Sequence, residues 1–111
     1  MNAIANLSPQ IVWKNFYDLT QIPRPSKFEL EAAKYICDFG KNLGLESFQD
    51  EVGNVIIRKP ATPGMEDRMG IILQAHIDMV PQKNNDVEHD FKKDPINCRQ
   101  YGLCNRYYPR C

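Results

Sequence analysis

The chain has 111 residues, and fourteen Lys and Arg balance fourteen Asp and Glu, so its formal net charge is zero. That length allows one domain at most, and the neutral balance excludes the broad basic surface of a nucleic-acid binder and an acidic solvating tail. Hydrophobic residues at 42% and aromatics at 10% exclude a compositionally disordered chain.

The opening MNAIANLSPQ has neither a basic n-region nor a long apolar h-region, so no signal peptide is expected. No stretch approaches the ~20 consecutive apolar residues of a membrane span. The expected location is the cytoplasm.

Ser8-Pro9 opens the first predicted helix, Ser as N-cap and Pro at the first helical position. Ile11, Val12, Phe16 and Leu19 recur near helical spacing, and Trp13, Phe16 and Tyr17 read as core. The helix stops before Ile22-Pro23-Arg24-Pro25, whose prolines force extended backbone. Ser26-Lys27-Phe28-Glu29 has the form of a capping box. It starts a second helix with Phe28, Leu30, Ala32, Ala33, Ile36, Phe39 and Leu43 on its apolar face and Cys37 as a buried thiol. Gly44 is its expected C′ residue.

Residues 45–50 read as a short strand, 51–54 as a turn and 54–58 as the returning strand. Two prolines and a glycine make 59–69 a surface loop. The apolar run 70–76 suits a buried strand, covered on both faces. Residues 78–94 turn polar. The order helix, helix, hairpin, loop, strand predicts an α/β layer around one sheet.

His76-Ile77-Asp78, at the end of that apolar run, is the sharpest chemical feature. In a strand, residues two apart face the same side, so His76 and Asp78 would point together. A ligand imidazole puts one nitrogen on the metal while a carboxylate commonly fixes the other N–H. The same spacing also describes a His satisfied by a nearby carboxylate with no metal. His89 is a second candidate ligand by residue type, although its polar loop suits a solvated surface His. The pairs Lys92-Lys93 and Arg58-Lys59 read as solvated surface charge, and neither a P-loop nor a G-x-S-x-G elbow is present.

The segment from Leu73-Gln74-Ala75-His76-Ile77-Asp78-Met79-Val80-Pro81 to Asn85 resembles the metal-ligand segment of the aminoacyl-histidine dipeptidases. These are also called Xaa-His or cytosol non-specific dipeptidases, within the wider clan of zinc exopeptidases. Val52-Gly53-Asn54-Val55-Ile56-Ile57-Arg58, Ile22-Pro23-Arg24-Pro25-Ser26, His89-Asp90-Phe91 and Asp94-Pro95-Ile96 are similar to the family as well. The resemblance covers about residues 7–96.

The resemblance implies the N-terminal part of a zinc-exopeptidase catalytic domain over residues 1–96: two helices, a β-hairpin and a buried strand, incomplete. His76 matches the family's first-metal His. Asp78 matches the catalytic-site carboxylate that orients it. The implied reaction is hydrolysis of unblocked dipeptides, Xaa-His among them, by a water activated between two metals, usually zinc. One His does not choose between zinc, cobalt and manganese. The implied partner is a dipeptide, with no nucleic acid and no membrane, and any homodimer belongs to the full-length family protein. The family's bridging Asp, its Glu general base and its other ligands match nothing in these 111 residues. The chain alone is therefore expected to be inactive, and marginally stable without the rest of the sheet.

Residues 97–111, with three Cys, three Tyr and three Arg and no Asp or Glu, read as a separate, non-homologous tail that is expected to be disordered. The spacings of Cys98, Cys104 and Cys111 match no zinc ribbon or C-x-x-C pair. One reading is a frame shift: codons permitted for residues 102–111, read one nucleotide later, include DYVIATTLGA, and the family continues here with T-T-L-G-A. The competing reading is a genuine Cys/Tyr/Arg module.

Overall fold

The computed structural model describes residues 3–98. The tail beyond 98, with Cys104, Cys111 and the frame-shift reading, lies outside the described residues. The described residues form two compact units: Pro23–Asp94, and residues 3–22 with 95–98.

The smaller unit holds a 3-10 turn, Ala3–Asn6, packed against helix α1, Gln10–Thr20. The helix begins one residue later than its sequence pattern suggests. Pro9 occupies the N-cap with extended backbone and accepts from the amides of Val12 and Trp13, and Ser8 makes no side-chain cap. The Ser8 carbonyl instead accepts the Trp13 indole N–H at 3.2 Å. Trp13 and Phe16 meet edge to face at 6.0 Å. The aromatics are not a closed core: Phe16, Ile11 and Val12 are exposed, and burial falls on Ile4 and Thr20. Thr20 closes the helix by donating to the Tyr17 carbonyl at 2.6 Å, and its own carbonyl accepts from the Ile96 amide at 2.9 Å.

The larger unit is built on helix α2, Leu30–Asn42, and an antiparallel hairpin of β1, Glu46–Gln49, and β2, Val55–Arg58. Ala33, Cys37 and Gly40, spaced four and three apart, form the buried stripe of α2. That stripe faces the hairpin, and Cys37 is a buried free thiol as expected. The contact is tight at Gly40, where a Cβ would lie 2.2 Å from the Ser47 hydroxyl and 2.9 Å from Ile57 Cδ1. Ser47 and Ile57 are cross-strand partners. The opposite face of the hairpin carries Phe48 under the Arg58 guanidinium, itself paired to Glu46 at 2.9 Å.

Helix α2 ends as a Schellman motif. The Gly44 amide donates to Lys41 and the Leu45 amide to Gly40, with Gly44 at φ 73° as the C′ residue. Its start departs from the expected capping box. Glu29, not Ser26, is the N-cap, and the Ser26 hydroxyl makes no bond to the helix. The Glu29 carboxylate accepts from the Lys27 amide. Ser26 is held elsewhere, so the helix starts later.

The predicted strand at 70–76 does not form. Among the described residues no ladder pairs with it, and Ile71, Ile72 and Leu73 are 82%, 95% and 88% exposed. A strand rich in apolar residues needs neighbours on both edges and cover on both faces. The described residues supply one hairpin, and α2 already occupies one of its faces.

Candidate functional site

The site begins where the 70s segment regains a partner. Met79 forms an isolated parallel bridge with Pro25. The Met79 amide donates to the Arg24 carbonyl at 2.9 Å, and the Ser26 amide donates to the Met79 carbonyl at 3.1 Å. These are the ordinary bonds of a parallel bridge, which uses the carbonyl before and the amide after residue 25, so the missing N–H of Pro25 leaves the bridge intact. This bridge sets Ser26 beside Asp78 across 52 residues of sequence.

His76 and Asp78 do come together, although no strand carries them. Asp78 Oδ1 lies 2.8 Å from His76 Nδ1, and Asp78 Oδ2 accepts the Ser26 hydroxyl at 2.5 Å. Each carboxylate oxygen thus has its own partner. The Ser26 hydroxyl first, then the His76 imidazole, hold the Asp78 carboxyl below its ordinary value, so it is ionised near neutrality. An ionised carboxylate only accepts, which puts the His76 proton on Nδ1 and leaves Nε2 unprotonated in the neutral ring. The imidazole is exposed while Asp78 is half-buried.

An open cleft of about 440 Å3 surrounds the pair. Its lining includes Lys27, Glu29 and Asn54, so the start of α2 and the tip of the hairpin border His76. Asp50 shapes that tip. Its carboxylate accepts from the amides of Val52 and Asn54 and from the Asn54 side chain at 2.8 to 3.1 Å.

His89 is not the solvated residue its loop suggests. Its ring sits 4.6 Å from the Phe91 ring, edge to face, and Nε2 is buried without a hydrogen-bond partner. It lines a second cleft with Phe28 and Pro81, apart from the residues around His76. Phe28 there carries the Lys92 ammonium 4.0 Å above its ring, which occupies one of the charges read as free surface.

A two-metal centre takes several protein ligands and an open position. Among the described residues no cluster of three His, Cys, Asp or Glu side chains is placed to hold a metal. His76 offers one ligand nitrogen and Asp78 its orientation. The described residues therefore fit one ligand position of such a centre and not the whole.

Sequence reasoning missed Ser26 at this site. Its local context is a good capping box, and nothing within a few residues points to a carboxylate 52 positions away. The hairpin tip was likewise read only as a turn.

No family model matches the chain. It is 53% identical over 96 residues to the cytosol non-specific dipeptidase of Escherichia coli strain K12, a match covering 86% of this chain and 20% of that protein. Among solved structures, the aminoacylhistidine dipeptidase of Vibrio alginolyticus superposes with a TM-score of 0.86 at 50% identity. That match covers 91% of this chain and 21% of the other. The chain thus spans about a fifth of the length of the relatives it matches. The resemblance to aminoacyl-histidine dipeptidases is borne out at both levels, and the mixed helix and strand arrangement is shared with the solved relative.

Proposed function

We propose that these residues are a portion of a metal-dependent dipeptidase acting on Xaa-His and other unblocked dipeptides in the cytoplasm. His76 is a ligand to the first metal, and Asp78 is the carboxylate that orients it. The observation that carries the reading is the His76–Asp78 pair at 2.8 Å, in a chain half identical to two dipeptidases. The metal, zinc or else cobalt or manganese, would polarise the peptide carbonyl and supply an activated water. This chain's own part is narrower. Asp78 holds the His76 proton on Nδ1 and presents Nε2 to the metal.

The 111 residues alone are proposed to be inactive. Of the sequence beyond residue 98, two cysteines are the only further ligand types, with no His, Asp or Glu. Residues 97–111 are proposed as a tail separate from the dipeptidase portion at 1–96.

A chimera tests the function. Residues 7–96 would replace the matching stretch of the Escherichia coli relative. The expected result is a chelator-sensitive dipeptidase whose activity falls by at least about 100-fold with His76→Ala, as expected for loss of a metal ligand. A folded chimera with no activity, or one indifferent to His76→Ala, defeats the reading. The unmodified 111-residue chain, assayed with zinc, cobalt or manganese, is expected to show no turnover. A rate abolished by His76→Ala would overturn its proposed inactivity.

A further inference from the structure

We propose that Ser26 is a positioning residue of the His76 site, selecting through Asp78 which imidazole nitrogen is free. The proposal rests on the reading of His76 as a ligand, but its geometry stands without a metal. Three observations converge on Ser26. Its hydroxyl donates to Asp78 Oδ2 at 2.5 Å, while the same oxygen lies 3.5 Å from the Met79 carbonyl, a poorer acceptor position. Its amide donates to the Met79 carbonyl, and the Met79 amide donates to the Arg24 carbonyl, so the backbone is tied on both sides of Pro25, up to Ser26 itself. Its hydroxyl is absent from the helix cap that its sequence context favours.

The physical consequence follows from the inventory of the three groups. A serine hydroxyl has one proton to give, and here it goes to the carboxylate. With Oδ2 held, the carboxylate cannot turn freely about χ2, and Oδ1 stays aimed at Nδ1. Terminal carboxylate torsions are otherwise broad, so an unheld Asp78 would sample many planes. An isolated neutral imidazole prefers its proton on Nε2, which would block that nitrogen as a ligand. The Ser26–Asp78 bond thus counters an intrinsic preference of the ring.

The test is nitrogen NMR of His76 in the metal-free 111-residue chain with the ring neutral. The unsubstituted chain should carry the proton mainly on Nδ1, with Asp78 in one side-chain rotamer. Ser26→Ala should shift the proton toward Nε2 and average the Asp78 rotamer, and Ser26→Thr should restore both. Glu29→Ala, which perturbs the same helix start without touching Asp78, should change neither. An unaltered tautomer in a folded Ser26→Ala chain overturns the proposal. Should that variant not fold, a rotamer-averaged Asp78 in the unsubstituted chain overturns it equally. In the chimera, Ser26→Ala should weaken zinc binding roughly tenfold, as orienting partners do, while saturating metal restores kcat at unchanged KM. An inactive chimera beside a normal tautomer shift would reject the dipeptidase reading and leave Ser26's role intact.

Discussion

Asp50 and Asp78 do similar work at two places: each is a carboxylate whose acceptor sites are filled by named donors. Asp50 takes the Asn54 side chain and the amides of Val52 and Asn54, and the Asn54 side chain leads in lowering its pKa from the ordinary value. A carboxyl with a depressed folded-state value adds stability above its unfolded value, near 3.8, and loses it as pH falls through the lower folded value. Asp50→Ala should therefore lower the urea midpoint at pH 7, and the gap from the unsubstituted chain should shrink as pH drops below about 4. A gap constant from pH 7 to pH 3 would show that the carboxylate charge plays no part in the turn. Ser26 illustrates what short sequence windows hide. Its capping-box spacing is sound, yet the hydroxyl serves a partner brought near by the Pro25–Met79 bridge.

Helix α2 and the hairpin meet through a glycine, and that contact sets the spacing of the whole element pair. Ala at position 40 would gain about 1 kcal/mol of helix propensity. It would also push its methyl into Ser47 and Ile57, an overpacking that typically costs about 1–3 kcal/mol. Because the Ser47 hydroxyl and the Ile57 side chain must both give way, Gly40→Ala should be net destabilising in urea unfolding. Gly44→Ala separates sterics from backbone conformation. Nothing lies within 4 Å of a Cβ there, but φ is 73°. Its expected cost of about 1 kcal/mol comes from the left-handed conformation alone. Ser47→Ala combined with Gly40→Ala should recover part of the first loss, and no recovery would mean the close approach is not the cause.

At the scale of the molecule, the apolar segment at 69–73 is the main liability. Met69, Ile71, Ile72 and Leu73 are exposed, without a strand partner among the described residues. Such a segment is a template for edge pairing and self-association. The 111-residue chain should show concentration-dependent light scattering. Ile72→Lys with Leu73→Ser should suppress it, with a stability change within about 0.5 kcal/mol. In the chimera, where the segment would be covered as a strand, the same pair should be strongly destabilising. Unchanged scattering in the chain, or a tolerant chimera, would reject this account of the segment.

Local chemistry was enough for the two helices, the Gly44 stop and the hairpin; it also put His76 beside Asp78, though through a strand that does not form. Helical spacing, a glycine suited to positive φ and a turn between β-rich runs are all readable within about ten residues. The resemblance in residues 7–96 was equally legible, because it lies in contiguous motifs. What depended on chain folding was every relation across long separations. Ser26 left its cap for Asp78, 52 residues away, and the N-cap passed to Glu29, whereas the edge-to-face contact of His89 with Phe91 is local and was hidden by the polar character of its loop. The apolar run at 70–76 remained unpaired for the same reason. A strand is stabilised by neighbours that no local pattern supplies, whereas a helix satisfies its own backbone.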